Sequence, residues 1–224
     1  MSVQSLLEQL LKSGTVQYEQ AKQSGDLGKY AKGAAAGGVL AVLLGSRSGR
    51  SLGGKALKLG TVAALGSLAW KAYGEWQAKQ APSSAPGASS LAGGSLPARF
   101  ELLPAPQLED HSRAMLMALI AAAKADGHMD ERERGLVEAE MHRLDADPAV
   151  RGWVDAELRR PVEPAEVAAR ATSPEMAAEI YLASVLVVDQ TTTMERAYLD
   201  QLAQALKLAP TLKADLEARA ASTG

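Results

Sequence analysis

The chain has no cysteine, a single phenylalanine (Phe100) and only 4% aromatic residues. Without thiols there is no disulfide framework and no thiolate metal site, and such usage suits a chain facing the cytosol. Runs of β-branched residues, which strands favour, are scarce. Apolar residues still make up 47% of the 224, and most are alanine and leucine, which favour helix. The fold class expected is therefore all-α. The histidines, His111, His128 and His142, lack the spacing of zinc ligands, and no Ser-His-Asp or Cys-His set is visible. No catalytic residue is assigned, and a non-enzymatic role is expected.

The net charge of −2 conceals two unlike halves. Residues 1–76 carry nine Lys/Arg against four Asp/Glu, a balance of +5, and residues 107–224 carry 13 against 21, a balance of −8. Between them residues 78–106, AKQAPSSAPGASSLAGGSLPARFELLPAP, are rich in Pro, Ser, Gly and Ala and read as a flexible linker. The expected division is 1–77, 78–106 and 107–224. The acidic half would repel phosphates, so nucleic acid is not an expected partner.

In the front half, Val3, Leu6, Leu7, Leu10 and Leu11 form the apolar stripe of a short amphipathic helix over 2–13. No basic region precedes it, and Glu8 and Lys12 interrupt it, so a signal peptide is not the expected reading. Two readings stay open: a helix packed on its own protein, or one lying in the plane of a membrane. Further on, Gly33, Gly37, Ala41 and Gly45 recur every fourth residue, as do Ala56, Gly60 and Ala64. Small residues at that spacing let helix backbones approach closely, a contact common in lipid. The thirteen residues from Gly33 to Gly45 span about 20 Å, short of the roughly 30 Å hydrocarbon core. A glycine-rich helical hairpin that dips into the bilayer fits better than one that spans it. Arg47, Arg50, Lys55 and Lys58 lie between the segments, and Trp70, Tyr73 and Trp76 close the second, as interfaces prefer. The partners expected are a membrane and, through the hairpin, a protein or a second copy. A soluble hairpin buried on a partner is the alternative.

Gly49 to Ala56, GRSLGGKA, matches the phosphate-loop pattern except at its last position. Ala56 lacks the hydroxyl that would hold Mg²⁺, and the surroundings read as helix, so a nucleotide-binding enzyme is the weaker alternative.

From Leu108 onward the sequence reads as seven short helices around an Ala/Leu core. Asp110 or Ser112 caps the first, Asp147-Pro148 starts the third, Ser173-Pro174 caps the long fifth and Pro210 opens the last. Two stretches repeat a pattern. In AAAKADGHMDERE a helix ends at Asp126-Gly127 and another restarts at Asp130 with Glu133 as its third residue. In ASVLVVDQTTTMERAYLD a helix ends at Asp189 and the next begins at Thr192 with Glu195 as its third residue. Glu133 and Glu195 both suit capping boxes. Asp126 and Asp189 sit at helix C-terminal ends, which disfavour negative charge, so a neighbouring helix N-terminus, Lys124, Arg132 or a cation must compensate.

AKADGHMDERE, its echo VVDQTTTMERAYLDQLAQAL, and the preceding GAAAGGVLAVLLG and LGGKALKLGTVAALG resemble the bacterial YebE-like proteins. These are a family of unknown function described as inner-membrane proteins, whose C-terminal half has the fold of the tellurite-resistance protein TerB. The resemblance implies a TerB-like helical domain over 107–224, a place at the bacterial inner membrane with that domain in the cytoplasm, and acidic residues that hold a metal ion. Carried over, Asp126 and Glu133 form one acidic pair and Asp189 and Glu195 the other. The chain departs from the pattern at Thr191, where relatives often have Asp. Hard divalent cations take several carboxylate oxygens, so these four residues are the candidate metal ligands, with capping as the competing explanation. His128 is a further candidate for a transition metal. The function expected is a membrane-associated interaction or stress-sensing module, with divalent-metal binding as the alternative primary role.

Overall fold

The computed structural model describes residues 2–9, 62–80, 105–126, 129, 131–188 and 192–222, and every regular element among them is an α-helix. The first two are α1 over 3–9 and α2, Val62–Gln80. Seven follow: α3 Ala105–Ala123, α4 Glu131–Arg143, α5 Pro148–Arg159, α6 Pro164–Ala168, α7 Pro174–Val187, α8 Thr193–Ala205 and α9 Pro210–Ser222. That number agrees with the seven expected from Leu108 onward.

Local signals place most of the boundaries. Asp147 accepts the amide of Ala149 ahead of α5, and Ser173 accepts that of Met176 ahead of α7, each with proline at the first helical position. Thr192 and Glu195 form the expected capping box of α8. Helices α4 and α8 end on residues with positive φ, Asp145 and Lys207. In each case the next amide bonds back five residues, Ala146 to Met141 and Leu208 to Ala203, the pairing that closes a helix in the Schellman manner. One start differs from expectation. Helix α3 begins at Ala105, and Ser112 is internal to it, donating its hydroxyl to the Leu108 carbonyl at 2.8 Å. Leucine and alanine carry the helix upstream of the polar pair that resembled a cap.

Helix α7 is the centre. All residues from Met176 to Val187 are buried, and α2, α3, α8 and α9 pack around it. The same core takes in the front of the chain. Val3, Leu6 and Leu7 of α1 are fully buried in it. The carboxylate of Glu109 on α3 accepts the amides of Val3 at 3.0 Å and Gln4 at 3.3 Å, which caps α1. Of the two readings of this helix, packing on its own protein is the one observed. Helix α2 turns Leu65, Gly66, Ala69 and Ala72 inward, Trp76 Nε1 donates to Thr211 Oγ1 at 2.8 Å, and Arg219 pairs with Glu75. The expected separation of residues 1–77 from 107–224 therefore does not extend to α1, whose apolar face is buried in the common core, or to α2, which packs against α7 and α9. The expected linker is also narrower, since α2 runs to Gln80 and α3 starts at Ala105. Among the described residues no helix is long and apolar enough to cross a membrane. Most of the glycine-rich hairpin, from Gly33 to Gly60, and the near-phosphate loop at 49–56 lie outside the described residues.

Replacing Leu7 by Ala should lower the stability of the full chain by about 2–5 kcal/mol, the usual range for a buried leucine. Glu8→Ala, one position along and exposed, should stay within about 0.5 kcal/mol. Urea unfolding followed by circular dichroism reads both, and a neutral Leu7→Ala would remove α1 from the core.

Candidate functional site

Glu195 is 1% exposed. Its Oε2 accepts the Thr192 amide at 2.9 Å, while its own amide donates to Thr192 Oγ1 at 3.1 Å. Turning this carboxylate outward to a metal would leave the Thr192 amide without its partner, removing half of the capping box at a cost of about 1 kcal/mol before any ligand is gained. Asp126 is half-buried in the turn that follows α3. Asp189 and the side chain of Glu133 lie outside the described residues, as does His128. Among the described residues no three of His, Asp and Glu gather closely enough to hold a metal ion.

Lys124 does not act as the neutralising partner expected for Asp126. Its side chain runs inward and the ammonium donates to the carbonyls of Glu157, at 3.0 Å, and Arg160. These are open carbonyls at the C-terminal end of α5, where a cation is favoured. Burial pushes the Lys124 pKa down, against the Glu157 carboxylate, which raises it.

Described residues of the two repeated stretches line one cavity of about 710 Å³. Met129 and Arg134 reach it from the first turn, and Met194 and Tyr198 from the second. Leu158, Pro161 and Val162 close it from the end of α5. Its charged residues among those described are all basic: Lys124, Arg134, Arg159 and Arg160. Met194 is 55% exposed, the one large apolar side chain so exposed among the described residues. Burial raises the Tyr198 hydroxyl well above the ordinary tyrosine range. Ser184 faces that hydroxyl without completing a hydrogen bond, its own Oγ being donated to the Ile180 carbonyl at 3.0 Å. The sequence placed a carboxylate cluster where the two turns meet, and the described lining is apolar with a cationic rim.

A buried contact between a histidine and a carboxylate lies elsewhere. His111 Nε2 on α3 stands 3.1 Å from Glu179 Oε2 in the middle of α7, with the Glu179 side chain 1% exposed. Glu179 Oε1 makes no hydrogen bond among the described residues. A Cβ placed on Gly66 of α2 would lie 3.0 Å from that oxygen. Three helices thus close on one carboxylate, and α2 fits because Gly66 has no side chain. His111 also lines a second cavity of about 720 Å³, beside Arg113, Trp153, Arg170 and Met176. Sequence reasoning missed this pair. Its signal was Glu179 itself, a charge set in the otherwise apolar run MAAEIYLASVLVV with no polar face to leave by.

A family model described as a protein of unknown function, DUF533, matches residues 29–220. The uncharacterized protein in the ampR 5' region of Yersinia enterocolitica is 30% identical over 110 residues, 49% of this chain and 79% of that protein. No solved structure matches.

The contact between Gly66 and Glu179 is testable as a cycle. Gly66→Ala should lower stability by about 1–3 kcal/mol, the usual cost of overfilling a packed site. In a Glu179→Ala background the same change should cost less than about 0.5 kcal/mol, because the coupling between touching residues is lost. Urea unfolding of the four proteins checks this, and additive costs would mean the two groups do not press on each other.

Proposed function

The chain belongs to the DUF533 family of proteins of unknown function, and on that footing we propose that it is a non-enzymatic, membrane-associated protein whose helical domain is an interaction module. The observation that carries the interaction role is the cavity between the repeated turns. It joins an apolar floor to a cationic rim and an exposed methionine, the composition of a recognition surface. Among its described residues no nucleophile and base are paired, which favours binding over catalysis.

Membrane association rests on residues 29–61, where small residues recur at helical spacing between basic borders. It no longer draws on Trp76, because that indole is bonded to Thr211 on α9. The resemblance to the YebE-like proteins supports a place at the bacterial inner membrane, a TerB-like domain facing the cytoplasm, and a stress-sensing role. Self-association through the glycine-rich segment belongs to the same reading.

Divalent-metal binding is kept as a second reading for one reason. Met129 and Arg134 from the first repeated stretch and Met194 and Tyr198 from the second line a single cavity, so carboxylates carried close to them would have a common space to share. A nucleotide-binding enzyme has no such support, since Ala56 cannot supply the metal-binding hydroxyl.

Fractionation of bacterial cells tests the membrane half. The full chain should sediment with membranes, and a chain lacking residues 29–61, which leaves α2 intact, should be released into the soluble fraction. Full-length protein found soluble would remove the membrane role. Isothermal calorimetry of the full chain with Mg²⁺, Ca²⁺, Mn²⁺ and Zn²⁺ tests the metal reading. Heat that disappears in Asp126→Asn or Asp189→Asn would establish it, and no heat, or heat unchanged in both variants, would leave those residues to helix termination.

A further inference from the structure

We infer that the cavity between α3, α5 and the link from α6 to α7 binds a small organic acid, a carboxylate carried on an apolar body. This is the second cavity, apart from the one that carries the interaction role, and the inference goes beyond that role.

Its lining residues stand on elements described without a break, namely α3, α5 and residues 164–187. At about 720 Å³ it lies within the roughly 300–1,000 Å³ common to small-molecule sites. Ala114, Met117 and Met176 give it a buried apolar floor, with the Trp153 ring of α5 at the side. One buried side chain in that floor is polar. His111 lines the cavity and also stands 3.1 Å from Glu179 Oε2.

Stability does not account for Glu179. A carboxylate in the middle of a helix buried all round is costly, and an apolar side chain of similar volume often serves as well or better. Its place against a cavity-lining histidine does account for it. A binding group keeps its geometry only when the residue behind it is fixed. Glu179, 1% exposed, is such a support for the imidazole that reaches the cavity.

Charge at the mouth sets the sign of the ligand. Arg113 and Arg170 face one carboxylate, that of Asp110, among the described lining residues. Arg170 forms no ion pair among the described residues. Arg113 lies over the Trp153 ring, 5.8 Å from its centroid. Its Nε is 3.7 Å from Glu109 Oε1, beyond hydrogen-bond distance, and that carboxylate already accepts the amides of Val3 and Gln4. Both guanidinium groups therefore keep donors for a ligand. Their planar fork matches a carboxylate, and the apolar floor takes the body behind it.

Isothermal calorimetry of the full chain tests this with octanoate and phenylacetate as probes. Both should bind saturably at one site. Acetate, which lacks the body, and octanamide, which lacks the charge, should each bind about tenfold more weakly or less. Arg170→Glu, at an exposed position, should reduce affinity about tenfold, and Asp110→Asn should raise it about threefold. Glu179→Gln keeps the side-chain shape and removes a negative charge, which by charge alone would favour an anion. As a positioning residue it should instead weaken binding about tenfold. Arg159→Glu makes the same charge change at the other cavity and should leave binding unaltered.

No saturable binding by the full chain, equal binding of octanamide, or wild-type affinity in Arg170→Glu overturns the site. Unchanged or tighter binding in Glu179→Gln overturns it too, since the buried carboxylate is what singles this cavity out. So does capture of anionic phosphatidylglycerol vesicles that is lost in Arg170→Glu, which would give the cations to a lipid surface. Circular dichroism checks that each variant is folded. Should Glu179→Gln fail to fold, the opposite shifts expected of Arg170→Glu and Asp110→Asn still decide.

Discussion

Helix α7 has no side it can turn to water. From Met176 to Val187 every residue is buried, so the helix is stable only when covered all round. Four helices do this, α2, α3, α8 and α9. The constraint explains why the front of the chain is not a separate appendage. Without α2, the stripe of α7 that receives Leu65, Ala69 and Ala72 would face solvent. At about 25 cal/mol per Å² of apolar surface, such exposure would draw on a stability margin of only about 5–15 kcal/mol. The covering must also accommodate Glu179. A carboxylate in that setting is costly to bury without a polar neighbour, and the imidazole of His111 stands 3.1 Å from it on α3. It also needs room, which α2 provides by having glycine at position 66.

Much of the fold was legible in the sequence because helix ends are local chemistry. Asp147-Pro148, Ser173-Pro174, Thr192 with Glu195, and Pro210 each announce a boundary through groups within four residues of it. What was not legible depends on contacts across the chain. Val3, Leu6 and Leu7 read equally as a membrane-plane stripe or a core stripe, because both media reward the same apolar pattern. Glu109, more than a hundred residues away, decides between them by capping the helix. The glycine at 66 carries the same ambiguity. Small residues serve close approach in lipid and in a water-soluble core alike, and here the neighbour is a buried carboxylate.

The candidate site was legible as a place and less so as a chemistry. The repetition of a helix end followed by a cap marked two stretches, and described residues of both line one cavity. The residue types misled in a specific way. A glutamate at the third position of a helix satisfies backbone amides as readily as it satisfies a metal, and Glu195 does the former. Lys124 looked like a surface partner for Asp126, but open carbonyls at the end of α5 draw its ammonium inward. The cationic rim comes largely from Arg159 and Arg160, which belong to neither repeated turn. No local pattern would have placed them there.

The burial of α2 also changes what the Pro/Ser/Gly-rich segment does. Read as a tether, it would hold an acidic domain at a distance from a membrane-embedded front. Yet the helices on either side of it, α2 and α3, both lie against α7, so residues 81–104 join two neighbours in one core. The element that leads from the glycine-rich residues 29–61 into the folded domain is α2, and its first described turns are already packed. On α2, the contact of Gly66 with Glu179 lies within the first described turns, so the helix that follows residues 29–61 in the chain is tied to the centre of the core from its start.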